Sequence, residues 1–304
     1  MVLSMLPTPP TLPRRPLGRT GLFVSALGLG GGALGRDDLG EEAAERLLNA
    51  TLDAGIDFID TARSYGLSEE RIGRYLAHRR REFVLSTKGG YGVEGIAEWT
   101  GACVTAGIEA ALVRMRTERI DIFHLHSCPL EVLVRDDILG ALEQAVRAGK
   151  IAMAGYSGDN EPLDWAIRSG HFGAVECSLN LCDQRVLGGT LAAAEERGIG
   201  LIIKRPLANA PWRFAERPAA DDIATYWERL RIMALDPAGH DWDELALRFA
   251  AFVPGVATCI AGTAQSDHLR RNASLLGRGR LPAPLDEHIR AAFGRHGADW
   301  RGLI

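Results

Sequence analysis

The sequence predicts a closed (β/α)8 barrel, and three observations support this fold class. Eight short apolar runs, the first at Val24–Leu29, alternate with helix-type segments within roughly 240 residues. The runs are apolar on both faces, as strands of a buried parallel sheet are. Most helix-type segments end at or next to a Gly, which is typical of helix C-termini. A doubly wound sheet is the alternative that this pattern leaves open.

The elements follow one another in a regular order, and each strand is short while each helix is longer. The predicted strands are Val24–Leu29, Phe58–Thr61, Phe83–Thr87, Ile120–His126, Ala152–Tyr156, Val175–Leu179, Leu201–Ile203 and Ala257–Ile260. The predicted helices are Glu41–Ala54, Ser68–Ala77, Val104–Met115, Asp137–Ala148, Glu161–Arg168, Gly189–Arg197, Asp243–Phe252 and Ser266–Leu276.

Three segments lie outside this alternation. Arg15–Ser25 contains two glycines between extended residues and predicts an N-terminal β-hairpin that covers the bottom of the barrel. Asn209–Trp242 is a long insertion after strand seven with a helix at Ile223–Ala234, on the face where barrel enzymes carry their chemistry. The Pro-rich residues 1–14 predict a flexible lead-in, and residues 15–304 predict a single domain.

Composition excludes several classes of protein. The chain has 304 residues, of which 46% are hydrophobic, so it can build a large core and is not disordered throughout. Its net charge of −4 and the lack of a long basic run argue against a nucleic-acid partner. No apolar stretch approaches the ~20 residues that cross a membrane. The 5 cysteines have neither C-x-x-C nor zinc-ligand spacing, so we expect reduced thiols, no metal site and a cytoplasmic location. The oligomeric state stays open.

Polar side chains stand at the ends of three neighbouring predicted strands, where the chemistry of such barrels is found. These residues are Asp60 and the nearby Tyr65 after strand two, Lys88 after strand three and His126 after strand four. A buried Asp60 would keep Lys88 charged, and this ammonium would lower the pKa of the Tyr65 phenol. Such a phenol can donate a proton to a carbonyl oxygen that His126 holds in position.

Each of these residues also has a purely structural interpretation. Asp60 could cap the following loop, and Tyr65 could pack against the second helix. Of the two histidines on strand four, we expect His126 to face the barrel mouth and His124 to be buried under a helix. Tyr91 we assign to a loop.

The same residues belong to longer motifs that resemble the aldo-keto reductase family, and the likeness runs from Pro16 to Asn272. The motifs are Pro16–Gly21, Leu27–Gly31, Gly55–Ala62, Tyr65–Gly66, Ser86–Lys88, Ile120–His126, Gly149–Ile151, Gly155–Ser157, Leu179–Asn180 and Gly262–Thr263. The resemblance implies a barrel with an N-terminal hairpin that transfers a hydride reversibly between a nicotinamide cofactor and a carbonyl or alcohol. It implies that Tyr65 is the general acid/base.

The resemblance also implies which residues hold the cofactor. Ser157 and Glu176 would bind the nicotinamide carboxamide, with Asp57 and Thr61 as neighbours on the cofactor side. The loop from Lys204 to Leu207 would pass beside the nicotinamide and pyrophosphate. The implied binding residues are therefore Ser157, Glu176, Lys204, Arg205, Leu207, and, at the adenosine end, Gly262, Thr263, His268 and Asn272.

Four positions depart from the family's pattern. Gly158 replaces an Asn, for which Asp159 or Asn160 could compensate. Glu176 replaces a Gln, and Lys204 stands where many members have an aromatic ring. His268 replaces the usual Arg, but Arg270 and Arg271 are close in sequence. Because cations favour the additional phosphate, we expect NADP(H) to be favoured over NAD(H).

Three functions compete at this stage. The first is an NAD(P)H-dependent oxidoreductase acting on an aldehyde, ketone or sugar-like alcohol. The second is a regulatory barrel that binds the cofactor without efficient turnover, for which the changes at Gly158 and Glu176 leave room. The third is a Schiff-base lyase that uses Lys88 or Lys204, which Asp60 opposes by keeping Lys88 charged.

Overall fold

The structure is a computed structural model, and it describes residues 12–304. Most of the predicted lead-in therefore lies outside the described residues, and Arg14 already belongs to the first strand. Strands β1 (Arg14–Pro16) and β2 (Phe23–Ser25) form the predicted antiparallel hairpin. The side chains of Leu17 and Val24 are fully buried beneath the barrel, so the hairpin closes its lower end.

Eight parallel strands form a closed barrel, which confirms the predicted fold class. They are β3 (Leu27–Gly30), β4 (Phe58–Asp60), β5 (Val84–Gly89), β6 (Ile120–His126), β7 (Ile151–Ser157), β8 (Ala174–Ser178), β9 (Gly200–Lys204) and β10 (Val256–Gly262). The predicted first strand, Val24–Leu29, is divided at Ala26. The reason is that β2 pairs with the hairpin strand, whereas β3 pairs with β4 and β10.

Helices surround the barrel and connect its strands. They are α1 (Glu41–Asp53), α2 (Ser68–Leu76), α3 (Gly101–Arg114), α4 (Leu130–Leu133), α5 (Asp136–Arg147), α6 (Asn160–Ser169), α7 (Thr190–Arg197), α8 (Asp221–Met233), α9 (Trp242–Ala251), α10 (Ser266–Gly277) and α11 (Ala283–His296). Helix α8 lies in the long insertion, as predicted, whereas α4 and α11 were not predicted from the sequence. No helix among residues 12–304 combines the length and apolar character of a membrane span.

The barrel interior has two layers of different chemistry. The lower layer is an apolar cluster that includes Phe58, Ile122 and Ile202 together with the hairpin side chains. Above it, towards the C-terminal ends of the strands, Asp60, Lys88 and other polar side chains are buried. A separate, larger apolar core lies between strands and helices. The apolar layers hold the strands in register, so the charged layer has a rigid support.

Candidate active site

A cavity of about 770 Å³ opens at the C-terminal ends of the strands. Its size is within the range of pockets for small molecules and cofactors. One region is lined by Tyr65 and His126, and other parts of the wall come from the insertion and from α10. Of the predicted site residues, Lys88 and Ser157 are buried beneath this surface, and the others line the cavity. Those others are Asp60, Tyr65, His126, Glu176, Lys204, Arg205, Leu207, Gly262, Thr263, His268 and Asn272.

A tight turn after β4 carries Tyr65. The backbone N–H of Tyr65 donates to the carbonyl of Ala62 at 3.0 Å, and its carbonyl accepts from Ser68 at 3.0 Å. A Cβ on Gly35 would lie 1.6 Å from the Tyr65 carbonyl oxygen, so only a glycine permits this contact. Gly66 has a φ of +49°, which also favours glycine. These close backbone contacts fix where the phenol enters the cavity.

Lys88 lies between two carboxylates under the cavity floor. Its Nζ contacts Oδ2 of Asp60 and is 3.2 Å from Oε2 of Glu176. The side chains of Lys88, Asp60 and Glu176 are 0%, 1% and 2% exposed, so water does not screen their charges. The same Nζ lies 5.4 Å from the centre of the Tyr65 ring. The structure thus brings the ammonium next to the phenol.

One ammonium cannot compensate two buried carboxylates, and their pKa values separate. Burial and the charge of Glu176 raise the pKa of Asp60 to about 7, against the opposing effect of Lys88. Although burial raises the pKa of Glu176, Lys88 and His124 lower it to about 2. The two carboxyls titrate as a pair, so the site takes up a proton near neutral pH.

The pKa of Tyr65 contradicts the sequence prediction. Lys88 is the largest influence and lowers it, but burial and the carboxylates of Asp60 and Glu176 outweigh this effect. The pKa of Tyr65 therefore lies above its ordinary value, and the expected decrease was wrong in direction. Two effects cause this difference: the burial of the phenol, and a second carboxylate on β8 in addition to the one that the ammonium neutralises.

His126 is hydrogen-bonded to Tyr91, a residue that was predicted only to lie in a loop. The hydroxyl of Tyr91 hydrogen-bonds Nδ1 of His126 and lies 2.9 Å from the hydroxyl of Ser64. Burial, with Lys88, lowers the pKa of His126 to about 3, so its ring is neutral. Tyr91 follows directly after Gly89 and Gly90 at the end of β5. This position in a strand-to-helix loop is the signal that could have identified it.

His124 faces the barrel interior, so the prediction that it packs under a helix was wrong. Side chains two positions apart on a strand point to the same face, and His126 faces the same interior. Ring nitrogens of His124 and carboxylate oxygens of Asp60 and Glu176 lie within 4.8 Å of one another. Such a spacing can suit a metal ion, but here the Lys88 ammonium supplies the cation between the carboxylates. Burial lowers the pKa of His124 to about 4, and it is neutral.

Glu176 links the charged layer to Ser157, whose hydroxyl donates to Oε1 of Glu176 at 3.1 Å. Neither of the residues expected to compensate for Gly158 lines the cavity. Asp159 binds Lys204 at 3.0 Å and accepts from the backbone of Ser178. Asn160 makes two hydrogen bonds to the backbone of Gly302. Both side chains are therefore engaged in these other contacts.

The segment after β9 is attached to the end of the chain. Arg205 has a φ of +54°, and its guanidinium donates to the carbonyls of Leu303 at 3.2 Å and Ile304 at 3.4 Å. Leu207 and Ile304 both line the cavity. The cavity wall here depends on a contact over almost 100 residues, which sequence patterns do not reveal.

The wall near α10 carries both aromatic and charged groups. Trp212 and Trp242 are stacked with ring centres 5.8 Å apart. His268 lines the cavity, and so does Arg271, which forms ion pairs with Asp241 at 3.1 Å and Asp243 at 3.2 Å. Gly262, Thr263 and Asn272 complete this part of the wall, and the Thr263 hydroxyl accepts from the backbone N–H of Gln265 at the start of α10.

Asp57 and Thr61 behave differently from the expectation that both lie on the cofactor side. Asp57 precedes β4, at the opposite end of the barrel, where it accepts from the backbone of Ser25 at 2.6 Å and pairs with Arg14 at 2.8 Å. It fastens the hairpin, so the expectation was wrong. Thr61 is at the upper end, and its carbonyl accepts from Lys88 at 3.1 Å.

A model of the Aldo/keto reductase family matches residues 26–284. The chain belongs to this family. As in the family, the described residues form a (β/α)8 barrel with a small antiparallel hairpin at its N-terminal end.

Individual members of the family resemble the chain over most of its length. The uncharacterized oxidoreductase YqkF of Bacillus subtilis is 26% identical over 299 residues, covering 91% of this chain and 94% of the relative. L-galactose dehydrogenase of Arabidopsis thaliana is 30% identical over 64% of this chain and 65% of its own. The holo structure of the aldo-keto reductase AKR11C1 from Bacillus halodurans superposes with a TM-score of 0.79 at 25% identity, covering 92% and 96%. These relatives support an oxidoreductase.

Proposed function

We propose that the protein is an NAD(P)H-dependent oxidoreductase that reduces a carbonyl or oxidises the corresponding alcohol, with Tyr65 as proton donor and acceptor. The observation that carries this proposal is that Tyr65 and His126 line one cavity, with the Lys88 ammonium buried next to the Tyr65 ring. The centres of the Tyr65 and His126 rings are 6.0 Å apart, so one substrate oxygen can contact both. The substrate class is an aldehyde, a ketone or a sugar-like alcohol, and L-galactose dehydrogenase is a relative named for a sugar.

In reduction, the residues of this chain manage the proton. Tyr65 begins protonated, because its pKa is above the ordinary value. As negative charge develops on the substrate oxygen, the phenol donates its proton, and the nearby Lys88 ammonium stabilises the phenolate that forms. In the proposed tautomer, Nδ1 of the neutral His126 ring accepts a hydrogen bond from the Tyr91 hydroxyl. The N–H at Nε2 then donates a hydrogen bond to the same substrate oxygen. When bound, the nicotinamide cofactor supplies or accepts the hydride.

The volume of the cavity and the polar groups that line it are suitable for a dinucleotide. It is lined by Tyr65 in one region and by His268 and Asn272 in another. Among residues 12–304, one backbone oxygen, at 3.6 Å, lies near the position that a Cβ on Gly262 would take, which leaves room for a ligand to approach closely. We propose that Ser157, Glu176, Lys204, Arg205 and Leu207 hold the nicotinamide half. Gly262, Thr263, His268 and Asn272 hold the adenosine half.

We propose that NADP(H) is favoured over NAD(H), because the Arg271 guanidinium and the His268 imidazole line the cavity at the adenosine end. The carboxylates of Asp241 and Asp243 partly neutralise Arg271 and limit this preference. We expect the double substitution Asp241→Asn, Asp243→Asn to raise the affinity for NADPH relative to NADH about two- to tenfold. Fluorescence titration with each dinucleotide measures the ratio.

The matched control is Asp267→Asn, which removes an exposed carboxylate that pairs with Arg270 outside the cavity wall. This variant should leave the ratio unchanged. An unchanged ratio in the double variant would contradict the role of Arg271 in binding the additional phosphate.

Tyr91 offers a second test. We expect Tyr91→Phe to lower kcat/KM for carbonyl reduction about two- to tenfold, because the neutral His126 ring loses the hydroxyl that fixes its tautomer. Ser64→Ala, which removes only the neighbouring hydroxyl, should have a smaller effect. Steady-state kinetics decide the matter, and equal rates for wild type and Tyr91→Phe would remove Tyr91 from the proposed mechanism.

The test of the proposed function is the loss of nicotinamide absorbance when the protein, with NADPH or NADH, meets a panel of aldehydes, ketones and aldoses. Turnover supports the oxidoreductase, whereas dinucleotide binding without turnover favours the regulatory barrel. Borohydride trapping of an imine would favour the lyase, but the contact of Lys88 with Asp60 argues against it.

All 5 cysteines are free and buried, which supports the cytoplasmic location that we propose.

A further inference from the structure

Glu176 reaches the charged layer from a different strand than Lys88 and Asp60, and it can influence Tyr65 through Lys88. It belongs to β8, whereas Lys88 belongs to β5 and Asp60 to β4. Its Oε2 atom is 3.2 Å from Nζ of Lys88 and is buried without a hydrogen-bond partner in the described part of the chain. Its Oε1 accepts from Ser157. Glu176 therefore shares the ammonium with Asp60, and no other strong contact fully occupies its charge.

We propose that Glu176 is a positioning residue that, through Lys88, keeps the Tyr65 phenol protonated and thereby biases the site towards carbonyl reduction. The bias towards reduction rests on the proposed function. The effect of Glu176 on the protonation of Tyr65 depends only on the charges of the protein itself.

Three buried charges act on the Tyr65 phenol: the Lys88 ammonium and the carboxylates of Asp60 and Glu176. At alkaline pH the buried layer contains two carboxylates and one ammonium, so its net charge is negative, and the phenolate is disfavoured. If Glu176 carried no charge, the positive charge of Lys88 and the negative charge of Asp60 would cancel. The ammonium would then act on the phenol with less opposition.

Other groups around the phenol do not cancel this effect. The remaining titratable side chains that face it or its partners are Tyr91 from the loop after β5, His124 and His126 from β6, and Lys204 from β9. Burial lowers the pKa of both histidines, so they are neutral. Lys204 is paired with Asp159. Asp60 and Glu176 are thus the two negative charges that oppose the ammonium at the phenol, and Glu176 is the one in excess of the Lys88–Asp60 pair.

The test uses the isosteric substitution Glu176→Gln in the full chain without cofactor. NMR of ¹³Cζ-labelled tyrosine follows the ionisation of each phenol with pH, and the signal lost in Tyr65→Phe identifies Tyr65. In Glu176→Gln we expect about tenfold more Tyr65 phenolate at a given pH below the midpoint of titration. Glu176→Asp, which keeps the charge, should restore most of the wild-type behaviour. Glu196→Gln, on the exposed face of α7, is the control for general charge.

Three outcomes separate the inference from the proposed function. A shifted Tyr65 titration, with alcohol oxidation beginning at lower pH than in wild type, supports both. A shifted titration in a protein without turnover supports the effect of Glu176 on Tyr65 and overturns the reduction bias. An unshifted titration in folded Glu176→Gln overturns the inference whatever the activity, since a purely structural role predicts only lower stability.

Discussion

Replacing Tyr65 by Phe abolishes carbonyl reduction while dinucleotide binding survives, if the phenol is the proton donor. The expected decrease in kcat is about 10²- to 10⁴-fold, the usual contribution of general acid catalysis. Phe keeps the ring that packs beside His126 and Lys88, so the cavity retains its shape. The variant lacks only the proton that must reach the substrate oxygen. Initial rates from nicotinamide absorbance, and dissociation constants from fluorescence, measure the two properties separately.

Tyr75→Phe is the matched control for this variant. Its hydroxyl donates to Glu41 on the outer surface, away from the cavity, so its loss should leave turnover unchanged. Full turnover in Tyr65→Phe would refute the assigned acid. Loss of dinucleotide binding together with turnover would instead show that Tyr65 has a structural role.

Replacing Lys88 by Met should reduce both stability and activity. The substitution leaves Asp60 and Glu176 buried without their cation, and removing one partner from a buried ion pair costs about 3–5 kcal/mol. Without the ammonium, the pKa values of both carboxyls rise in the folded state above their unfolded values. The folded protein then binds more protons than the unfolded one, so the stability of the variant falls as pH rises.

The deficit in the free energy of unfolding should therefore be larger at about pH 8 than at about pH 5. Urea denaturation at the two pH values measures it. Lys150→Met removes a half-exposed ion pair with Glu109, and it should change stability by less than about 1 kcal/mol at either pH. A Lys88→Met protein as stable as Lys150→Met, with the same pH dependence, would show that Lys88 does not compensate the buried carboxylates.

Local sequence patterns determined much of this molecule. The alternation of apolar runs and helix-type segments predicted the barrel, because strands buried on both faces and helices packed on one face have different periodicities. The positions of Asp60, Lys88 and His126 at strand ends predicted that these side chains lie together, since the closure of a parallel barrel brings all those ends to one mouth. The N-terminal hairpin was predicted from two glycines between extended residues, and a helix was predicted within the long insertion.

Other features depended on contacts across the barrel, which no local pattern records. Glu176 faces Lys88 only because barrel closure brings β8 across the interior from β5, and burial together with the carboxylates of Asp60 and Glu176 outweighs the effect of Lys88 on the pKa of Tyr65. Likewise, Tyr91 reaches His126, and Arg205 reaches Leu303, through the folding of loops.

By itself, then, the sequence determined the fold class and the residue types at the mouth of the barrel, because periodicity and strand ends are local properties. Only the tertiary structure decided the balance of charge around the phenol. Electrostatic energy depends on the distance and burial of every charge, and residues far apart in the chain contribute as strongly as neighbours.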